Sequence, residues 1–249
     1  MFNAVLMAGT GKPEPLTDQE GVSNKAFIKV QDVTLIAYVM EALIASSLVD
    51  KIAVVGPKAE LEELFCGYSQ VEIIPEKGVV LDNLAEGLAA VKGSSLCLIV
   101  TGDIPLITGE VIDNFIKLCE PYDHDLYYPV LTRNTCLQNF PATERTYVRL
   151  KDGHITGGNI ALINPDWYLA NKSRLEMFIS YRKKPLKMLR MFPPFFLFKY
   201  IINTLSVSDI EKVFSRILQL KARAVFCETA EIGVDVDKIS DLELIRKTL

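Results

Sequence analysis

The chain has 249 residues, of which 49% are hydrophobic, with a net charge of −4 and an isoelectric point near 5.4. This length allows one α/β domain with a well-buried core, and the acidic balance argues against a general nucleic-acid-binding protein. Five cysteines without a CxxC pair favour reduced thiols in the cytoplasm, and two histidines without metal-ligand spacing argue against a zinc site.

In chain order, short apolar segments alternate with helical patterns through the first half. A buried strand at residues 2–7 leads into a Gly/Pro-rich loop over residues 8–24. Asp82 and Thr108 are predicted to cap the helices that follow them. The remaining strands are predicted at 51–55, 71–75 and 95–101, and the helices at 35–48, 59–65, 82–91 and 108–118. This order predicts an α/β fold with a Rossmann-like, mostly parallel sheet and helices on both faces.

The second half has a less regular pattern. A strand at 125–131 precedes two strands, 145–150 and 154–163, which flank the turn Lys151-Asp152-Gly153. A mostly helical stretch at about 173–221 has the character of an insertion. The chain is then expected to close with a strand at 223–227 and a helix at 239–249, which makes residues 1–249 a single domain.

The loop after the first strand carries the first functional motif. It reads Ala8-Gly9-Thr10-Gly11-Lys12, and Asn24-Lys25-Ala26-Phe27 follows at the end of the same loop. Glycines let backbone N–H groups approach a phosphate closely. The Walker A and G-x-G-x-x-G patterns are both absent. The combination resembles the opening of the MobA-like nucleotidyltransferase superfamily, which includes molybdenum-cofactor guanylyltransferases, sugar-1-phosphate nucleotidyltransferases and methylerythritol cytidylyltransferases.

The resemblance covers nearly the whole chain apart from the helical insertion, and it implies a GT-A-like nucleotidyltransferase fold. It also implies transfer of a nucleoside monophosphate from an NTP to a phosphorylated acceptor, with release of pyrophosphate. In the family, the glycine loop wraps the triphosphate and the lysine that matches Lys25 offsets the phosphate charge. The plainer interpretation of Lys25 is a solvated loop lysine. The nucleotide-binding residues would be Ala8, Gly9, Thr10, Gly11, Lys25, Asn83 and Gly102.

One position departs from the family pattern. The arginine that follows the family's glycine loop falls near Pro13 here, and Lys12 is the substitute that the sequence offers. A lysine cannot provide the bidentate geometry of an arginine. Lys12, Lys25 and Asp103 are the candidate catalytic residues, and the loss of the arginine raises the alternative of a nucleotide-binding protein with impaired catalysis.

The apolar strand at 95–101 ends in Gly102-Asp103-Ile104-Pro105-Leu106. A carboxylate at the carboxyl end of such a strand lies where open α/β sheets bind ligands, and Mg²⁺ is held by carboxylates together with phosphates. The family places its metal-binding aspartate at the position of Asp103. Asp235 is our candidate for the second Mg²⁺ ligand, with Asp237 as a close rival, since D-x-D spacing on a strand puts both side chains on one face.

Three further segments yield candidate contacts. Asn83 follows the loop that contacts the base or ribose in relatives, although it could equally cap a helix. Gly158 and Asn159 resemble the acceptor strand of the sugar nucleotidyltransferases, with a β-bulge as the alternative. Arg145 and Arg149 alternate on the preceding strand and either bind an anionic acceptor or line a solvated face.

Residues 181–202 combine basic and aromatic side chains, and no acidic residue occurs between Tyr181 and Ser208. Such a segment fits peripheral contact with an anionic membrane or a lipid-like acceptor, or else a lid over the active site or a homodimer interface. No signal peptide or membrane-spanning helix is expected. Within enzymes, the alternative to the NTP transferase is a nucleotide-sugar-dependent glycosyltransferase of the same architecture. The motifs do not distinguish the NTP or the acceptor.

Overall fold

A computed structural model of the chain describes residues 1–9, 14–181 and 190–249. Within these ranges, nine strands form one sheet in the order β5-β4-β1-β6-β10-β7-β9-β8, with β11 added to β7. The strands of this sheet are β1 (Phe2–Met7), β4 (Val49–Gly56), β5 (Val71–Pro75), β6 (Cys97–Thr101), β7 (Leu126–Thr132), β8 (Val148–Leu150), β9 (Gly153–Gly157), β10 (Ile160–Ile163) and β11 (Ala222–Phe226). A separate two-stranded ladder pairs β2 (Lys29–Val30) with β3 (Val33–Thr34).

The two halves of the large sheet differ in strand direction. Strands β5, β4, β1 and β6 run parallel to one another, and β11 is parallel to β7. Strand β10 is antiparallel to both β6 and β7, while β8 and β9 form an antiparallel hairpin at the edge. This arrangement confirms the predicted α/β class with its mostly parallel core.

Ten helices accompany the strands within the described ranges. They are α1 (Pro15–Glu20), α2 (Leu35–Ala45), α3 (Lys58–Phe65), α4 (Val80–Ala90), α5 (Gly109–Leu118), α6 (Arg133–Asn139), α7 (Pro165–Tyr181), α8 (Pro194–Ile201), α9 (Val207–Leu218) and α10 (Ile239–Thr248). None of these helices is long and apolar enough to cross a bilayer.

Alternate residues of β1 face opposite layers, as the two-residue period of a strand requires. Leu6 is fully buried on the face that carries α2, α3 and α5. Val5 is fully buried on the other face, where Leu88 of α4 and Tyr168 of α7 pack. The expectation of helices on both faces is therefore confirmed, and β1 lies at the centre of the core.

Several local predictions were wrong. The loop 8–24 contains helix α1, which starts at Pro15 because proline suits the first turn. Helix α4 begins at Val80, so Asp82 lies in its first turn and is not its N-cap. The strand predicted at 154–163 is two strands, of which β9 pairs with β7 and β8, whereas β10 pairs with β6 and β7. Helix α6 was missed.

Other predictions were confirmed by the structure. Thr108 caps α5 by accepting a hydrogen bond from the Val111 N–H at 3.3 Å. The turn at Lys151 and Asp152 joins β8 to β9, where Leu150 pairs with Gly153. Part of the basic stretch, residues 182–189, lies outside the described residues. The assignment of residues 173–221 as an insertion stays a prediction.

Candidate active site

The candidate site lies at the carboxyl ends of β1 and β6, the edge where open α/β sheets bind ligands. Ala8 and Gly9 follow β1, and Gly9 has a φ of +86°, which a glycine adopts without steric cost. Gly102 follows β6 and donates its N–H to the Met7 carbonyl at 2.8 Å. A Cβ at Gly102 would lie 3.1 Å from that oxygen, so the close approach favours glycine. Of the glycine loop, Thr10, Gly11, Lys12 and Pro13 lie outside the described residues.

Lys25 is surrounded by carboxylates. It lies in a short 3₁₀ helix, Lys25–Phe27, and its Nζ donates to Asp237. The same ammonium is 3.4 Å from Asp103 Oδ2 and 3.9 Å from Glu14 Oε2. Burial alone would lower the pKa of Lys25, but the surrounding carboxylates outweigh it and hold the pKa above its usual value. The side chain is 19% exposed, so Lys25 is a largely buried cation rather than a solvated loop lysine.

Asp235 and Asp237 lie in the non-helical segment before α10 and not on a β-strand, which corrects the sequence interpretation. The intervening residue, Val236, is fully buried and donates its N–H to the Asp103 carbonyl at 3.0 Å. This backbone bond joins the segment to the end of β6, so the two aspartates flank the point of attachment. All three aspartates therefore gather at one place, although Asp103 is far from the other two in the sequence.

The two neighbouring aspartates have opposite pKa shifts. Burial raises the pKa of Asp235, and the charges of Asp103 and Asp237 raise it further. Burial would also raise the pKa of Asp237, but the hydrogen bond and charge of Lys25 outweigh it and hold the pKa below its usual value. Asp237 is thus the ion-pair partner of Lys25, whereas burial and the neighbouring carboxylates act against the ionised form of Asp235.

Arg145 lies beside Asp235. It precedes β8 and does not belong to a strand, in contrast to the prediction. Its Nη2 donates to the Gly157 carbonyl at 3.0 Å, and its Nη1 lies 3.7 Å from Asp235 Oδ1. The side chain is 13% exposed. Arg145 is therefore held in a fixed position beside the aspartates.

Two cavities meet at this charged cluster. The first, the glycine-loop cavity, encloses about 340 Å³. It is lined by Met7, Ala8, Gly9, Glu14, Asn24, Lys25, Ala26, Val80, Leu84, Ile99, Thr101, Gly102 and Asp103. The second, the arginine cavity, encloses about 270 Å³. It is lined by Thr143, Glu144, Arg145, Thr146, Thr156, Val234, Asp235, Asp237, Lys238 and Asp241. The bond from Lys25 to Asp237 connects the two cavities.

The donor set fits a divalent cation that shares its coordination with a ligand. Asp103 Oδ1 is buried and, within the described parts of the chain, has no hydrogen-bond partner. Asp235 is destabilised as a carboxylate by its acidic neighbours, which a cation would relieve. No group of three or more His, Cys, Asp or Glu side chains among the described residues is arranged as a complete metal site. Two carboxylates completed by phosphate oxygens and water are a usual set for Mg²⁺.

The remaining candidate residues have contacts of other kinds. Asn83 is fully buried inside α4, and its Oδ1 accepts from the Lys77 N–H at 2.6 Å, which anchors the preceding loop. Arg149 is exposed on β8. A Cβ at Gly158 would lie 2.5 Å from Ile232 Cγ2, so close packing explains this glycine. The Asn159 carbonyl accepts from Thr101 N–H at 3.2 Å, which places Asn159 next to the end of β6.

Among the polar cavity residues that the sequence interpretation did not select are Asn24, Glu14 and Lys238. Asn24 lies directly before Lys25, Glu14 is the N-cap residue of α1, and Lys238 pairs with Glu144 at 3.1 Å. Asn24 could have been identified from its place within the Asn24-Lys25 motif. Glu14 and Lys238 carry no local signal that separates them from solvated charges.

Comparisons with known proteins show which family the chain is similar to. The sequence profile of the MobA-like NTP transferase domain matches residues 4–168, well over half of the chain. A solved structure described as a hypothetical transferase from Thermus thermophilus is 32% identical, with a TM-score of 0.84 over 97% of this chain and 99% of that one. A 4-diphosphocytidyl-2C-methyl-D-erythritol synthase from Anaerococcus prevotii shares the fold at 14% identity, with a TM-score of 0.61 over 99% of this chain and 95% of that one.

Among curated proteins, a 2-C-methyl-D-erythritol 4-phosphate cytidylyltransferase from Clostridium acetobutylicum is 31% identical over 108 residues. That match covers 40% of this chain and 46% of the relative, so the chain spans about half the length of the curated relatives that it matches. The match to the family profile includes the glycine loop and the Gly102-Asp103 segment, and the likeness to the Thermus structure extends over nearly the full length of both chains. The chain belongs to the MobA-like NTP transferase domain family.

Proposed function

We propose that the chain is a Mg²⁺-dependent nucleotidyltransferase, which transfers a nucleoside monophosphate from an NTP to a phosphorylated small-molecule acceptor. The observation that carries this proposal is the junction of two cavities at Lys25, Asp103, Asp235 and Asp237. A reaction between two substrates needs two adjacent sites with the charge-stabilising groups between them. The glycine-loop cavity would take the NTP, and the arginine cavity would take the acceptor.

In this reaction an acceptor phosphate oxygen forms a bond to the α-phosphorus, while the bond from that phosphorus to the bridging oxygen of pyrophosphate breaks. The acceptor supplies the nucleophile, so the protein contributes position and charge. Asp103 and Asp235 would hold Mg²⁺, which supplies charge neutralisation on the phosphates when bound. Asp237 fixes the Lys25 ammonium at the same point, and Lys25 would offset the charge that collects on the leaving pyrophosphate.

Arg145 would orient the acceptor. Its guanidinium is held by the Gly157 carbonyl and lies beside Asp235 within the arginine cavity. A planar guanidinium suits an anionic group with two oxygens. Arg149 and the loop segment Gly158-Asn159 stay secondary acceptor candidates, and Asn83 stays a nucleotide candidate through the loop that it anchors.

Three predictions about partners and location belong with this proposal. The cysteine pattern of the sequence predicts a cytoplasmic location. A homodimer is predicted if residues 181–202 form a subunit interface. Peripheral membrane or lipid contact is a third prediction. Helix α8 exposes Phe195, Phe198 and Ile201, in keeping with either a membrane or a protein contact.

The test is a thermal-shift series with ATP, GTP, CTP and UTP, each with and without Mg²⁺, followed by a pyrophosphate-release assay with a panel of phosphorylated sugars and polyols. A Mg²⁺-dependent rise in Tm for one nucleotide, together with acceptor-dependent pyrophosphate release, is the expected result. Binding of a nucleotide sugar but of no NTP would favour the glycosyltransferase alternative. NTP binding without pyrophosphate release with any acceptor would favour a protein that has lost catalysis.

A further inference from the structure

Asn24 is the most buried polar residue in the wall of the glycine-loop cavity. The residue is 3% exposed. Its Oδ1 accepts a hydrogen bond from the Ala26 N–H at 2.9 Å, so it caps the 3₁₀ helix Lys25–Phe27. An N–H group can bond only to the oxygen of the amide, and this bond therefore fixes which end of the side chain is nitrogen.

The nitrogen of the same amide has no acceptor among the residues that the structure describes. Asn24 Nδ2 is buried, and it lies 3.7 Å from the position that a Cβ on Gly9 would occupy. Gly9 is the first glycine of the loop after β1 and lines the same cavity. A buried donor without an acceptor costs free energy, so such groups in native proteins usually have a role in binding or an unseen partner.

The chemistry of the missing partner follows from the surroundings. The amide nitrogen can only donate, so its partner is an acceptor such as an oxygen atom. The adjacent residue, Lys25, brings a positive charge into the cavity beside the carboxylates of Asp103 and Glu14, and Gly9 has no side chain against the Asn24 amide. A donor, a cation and an unobstructed backbone together fit an oxyanion better than a neutral oxygen.

We infer that Asn24 donates a hydrogen bond from Nδ2 to a phosphoryl oxygen of the nucleoside triphosphate, and so acts as a binding residue for its polyphosphate. This inference rests on the proposed function, since it names a new contact within the proposed nucleotide site. Two roles are combined in one amide. The oxygen holds the helix that carries Lys25, and the nitrogen contacts the ligand.

The test compares Asn24→Asp with Asn24→Ser. Asp is isosteric and caps a helix as well as Asn does, so it retains the bond to the Ala26 N–H and replaces only the donor with a negative oxygen. Ser also caps, but it is too short to contact the ligand. The exposed Asn134 of α6 provides the matched control, Asn134→Asp, which adds the same charge outside both cavities.

Calorimetry would measure the Kd of each protein for the four Mg²⁺–NTPs, for pyrophosphate and for the corresponding nucleosides. Both Asn24 variants should keep the Tm of the unliganded protein within a few degrees. They should bind the preferred NTP and pyrophosphate about 10- to 100-fold more weakly, as expected for loss of a hydrogen bond to a charged group. Nucleoside binding and the Asn134→Asp protein should be unaffected.

Four outcomes separate this inference from the proposed function. If the wild-type protein binds an NTP and both Asn24 variants bind it with the same affinity, the inference is wrong and the proposed function stands. Equal weakening for the nucleoside and the NTP also overturns it, because the lost contact would not involve phosphate. If pyrophosphate binding depends on Asn24 but no NTP binds, the phosphate contact is supported and the proposed function is wrong. If the wild-type protein binds neither an NTP nor pyrophosphate, both the inference and the proposed function are wrong.

Discussion

The two cavities that meet at Lys25 and the aspartates satisfy their polar groups in different ways. In the glycine-loop cavity, three buried polar atoms lack a partner among the described residues, namely Asn24 Nδ2, Thr101 Oγ1 and Asp103 Oδ1. In the arginine cavity one such atom occurs, Arg145 Nε, and most charges are paired internally, Lys238 with Glu144 and Arg145 with Asp235. Buried polar atoms without partners are therefore more numerous in the glycine-loop cavity.

This difference indicates how each cavity would bind its substrate. A ligand that binds the three unpartnered atoms of the glycine-loop cavity gains hydrogen bonds there without breaking existing ones, so these groups are organised before binding. An acceptor in the arginine cavity has to compete with internal ion pairs. The exposed Lys238–Glu144 pair contributes little stability and is easily exchanged. We therefore expect substitutions in the glycine-loop cavity to affect nucleotide binding and substitutions in the arginine cavity to affect acceptor binding.

The largest expected effect is from Asp103→Asn, which removes the carboxylate between the two cavities. Because the proposed metal position loses a charged ligand, turnover should fall by at least about 10²-fold, with little change in Tm. Steady-state pyrophosphate release with varied Mg²⁺ measures this. Asp50→Asn, an exposed position near the amino end of β4, is the matched control and should leave turnover unchanged. Full activity in Asp103→Asn would contradict the assignment of Asp103 as a metal ligand.

Lys25→Met should come next, because it removes the cation from a pocket that keeps its carboxylates. Affinity for the Mg²⁺–NTP complex should fall by about 10-fold or more, as a charged contact to phosphate is lost. Affinity for Mg²⁺ alone should rise, since the Lys25 ammonium no longer neutralises Asp103 and Asp237. Titration calorimetry with MgCl₂ and with Mg²⁺–NTP separates the two. A parallel loss of both affinities would mean that Lys25 does not compete with the metal.

A smaller effect, confined to the second cavity, is expected from Arg145→Ala. The KM for the acceptor should rise about 10-fold while the Kd for the NTP stays within about twofold, because the guanidinium lies on the acceptor side of Asp235. Arg216→Ala serves as the control, since Arg216 is exposed on α9, lines neither cavity and should change neither constant. An equal loss of affinity for both substrates in Arg145→Ala would contradict the division between the cavities.

The smallest effects concern stability. Because the pKa of Asp235 is raised, the folded protein binds a proton there more tightly than the unfolded chain does. The stability linked to this group is present below pH 3.8 and lost as the pH rises through the raised pKa. Asp235→Asn should therefore raise Tm at pH 7 in the absence of metal, and not at pH 3. In a chain of this size, each 1 kcal/mol corresponds to roughly 2–4 °C.

Asp237→Asn is the counterpart with the opposite sign. Its pKa is lowered in the folded protein, so it contributes stability that is present above pH 3.8 and lost as the pH falls through the lowered value. This variant should have a reduced Tm at pH 7. Thermal unfolding of both variants in EDTA at several pH values tests the pair, and Tm shifts of the same sign at pH 7 would contradict the separate roles of the two aspartates.

Much of the framework could be predicted from the sequence because its signals are local. The apolar segments at 2–7 and 71–75 predicted β1 and β5 with their observed bounds. Thr108 marked the start of α5. The prediction failed where tertiary pairing decides the structure. The apolar run 154–163 is split at Gly158 and Asn159, because β9 pairs with β7 and β8 while β10 pairs with β6 and β7.

The sequence by itself determined the α/β class, the glycine loop after β1 and the aspartate at the end of β6, since each depends on residues close together in the chain. Only the tertiary structure decided that Lys25 binds Asp237, which lies 212 positions away, and that Val236 attaches the Asp235–Asp237 segment to Asp103. It also decided that Asn24 lines the glycine-loop cavity and that its Nδ2 is buried without a partner among the described residues. The physical reason is that hydrophobic periodicity and capping act over a few residues, whereas contacts between distant side chains depend on how the sheet edge and its loops pack together.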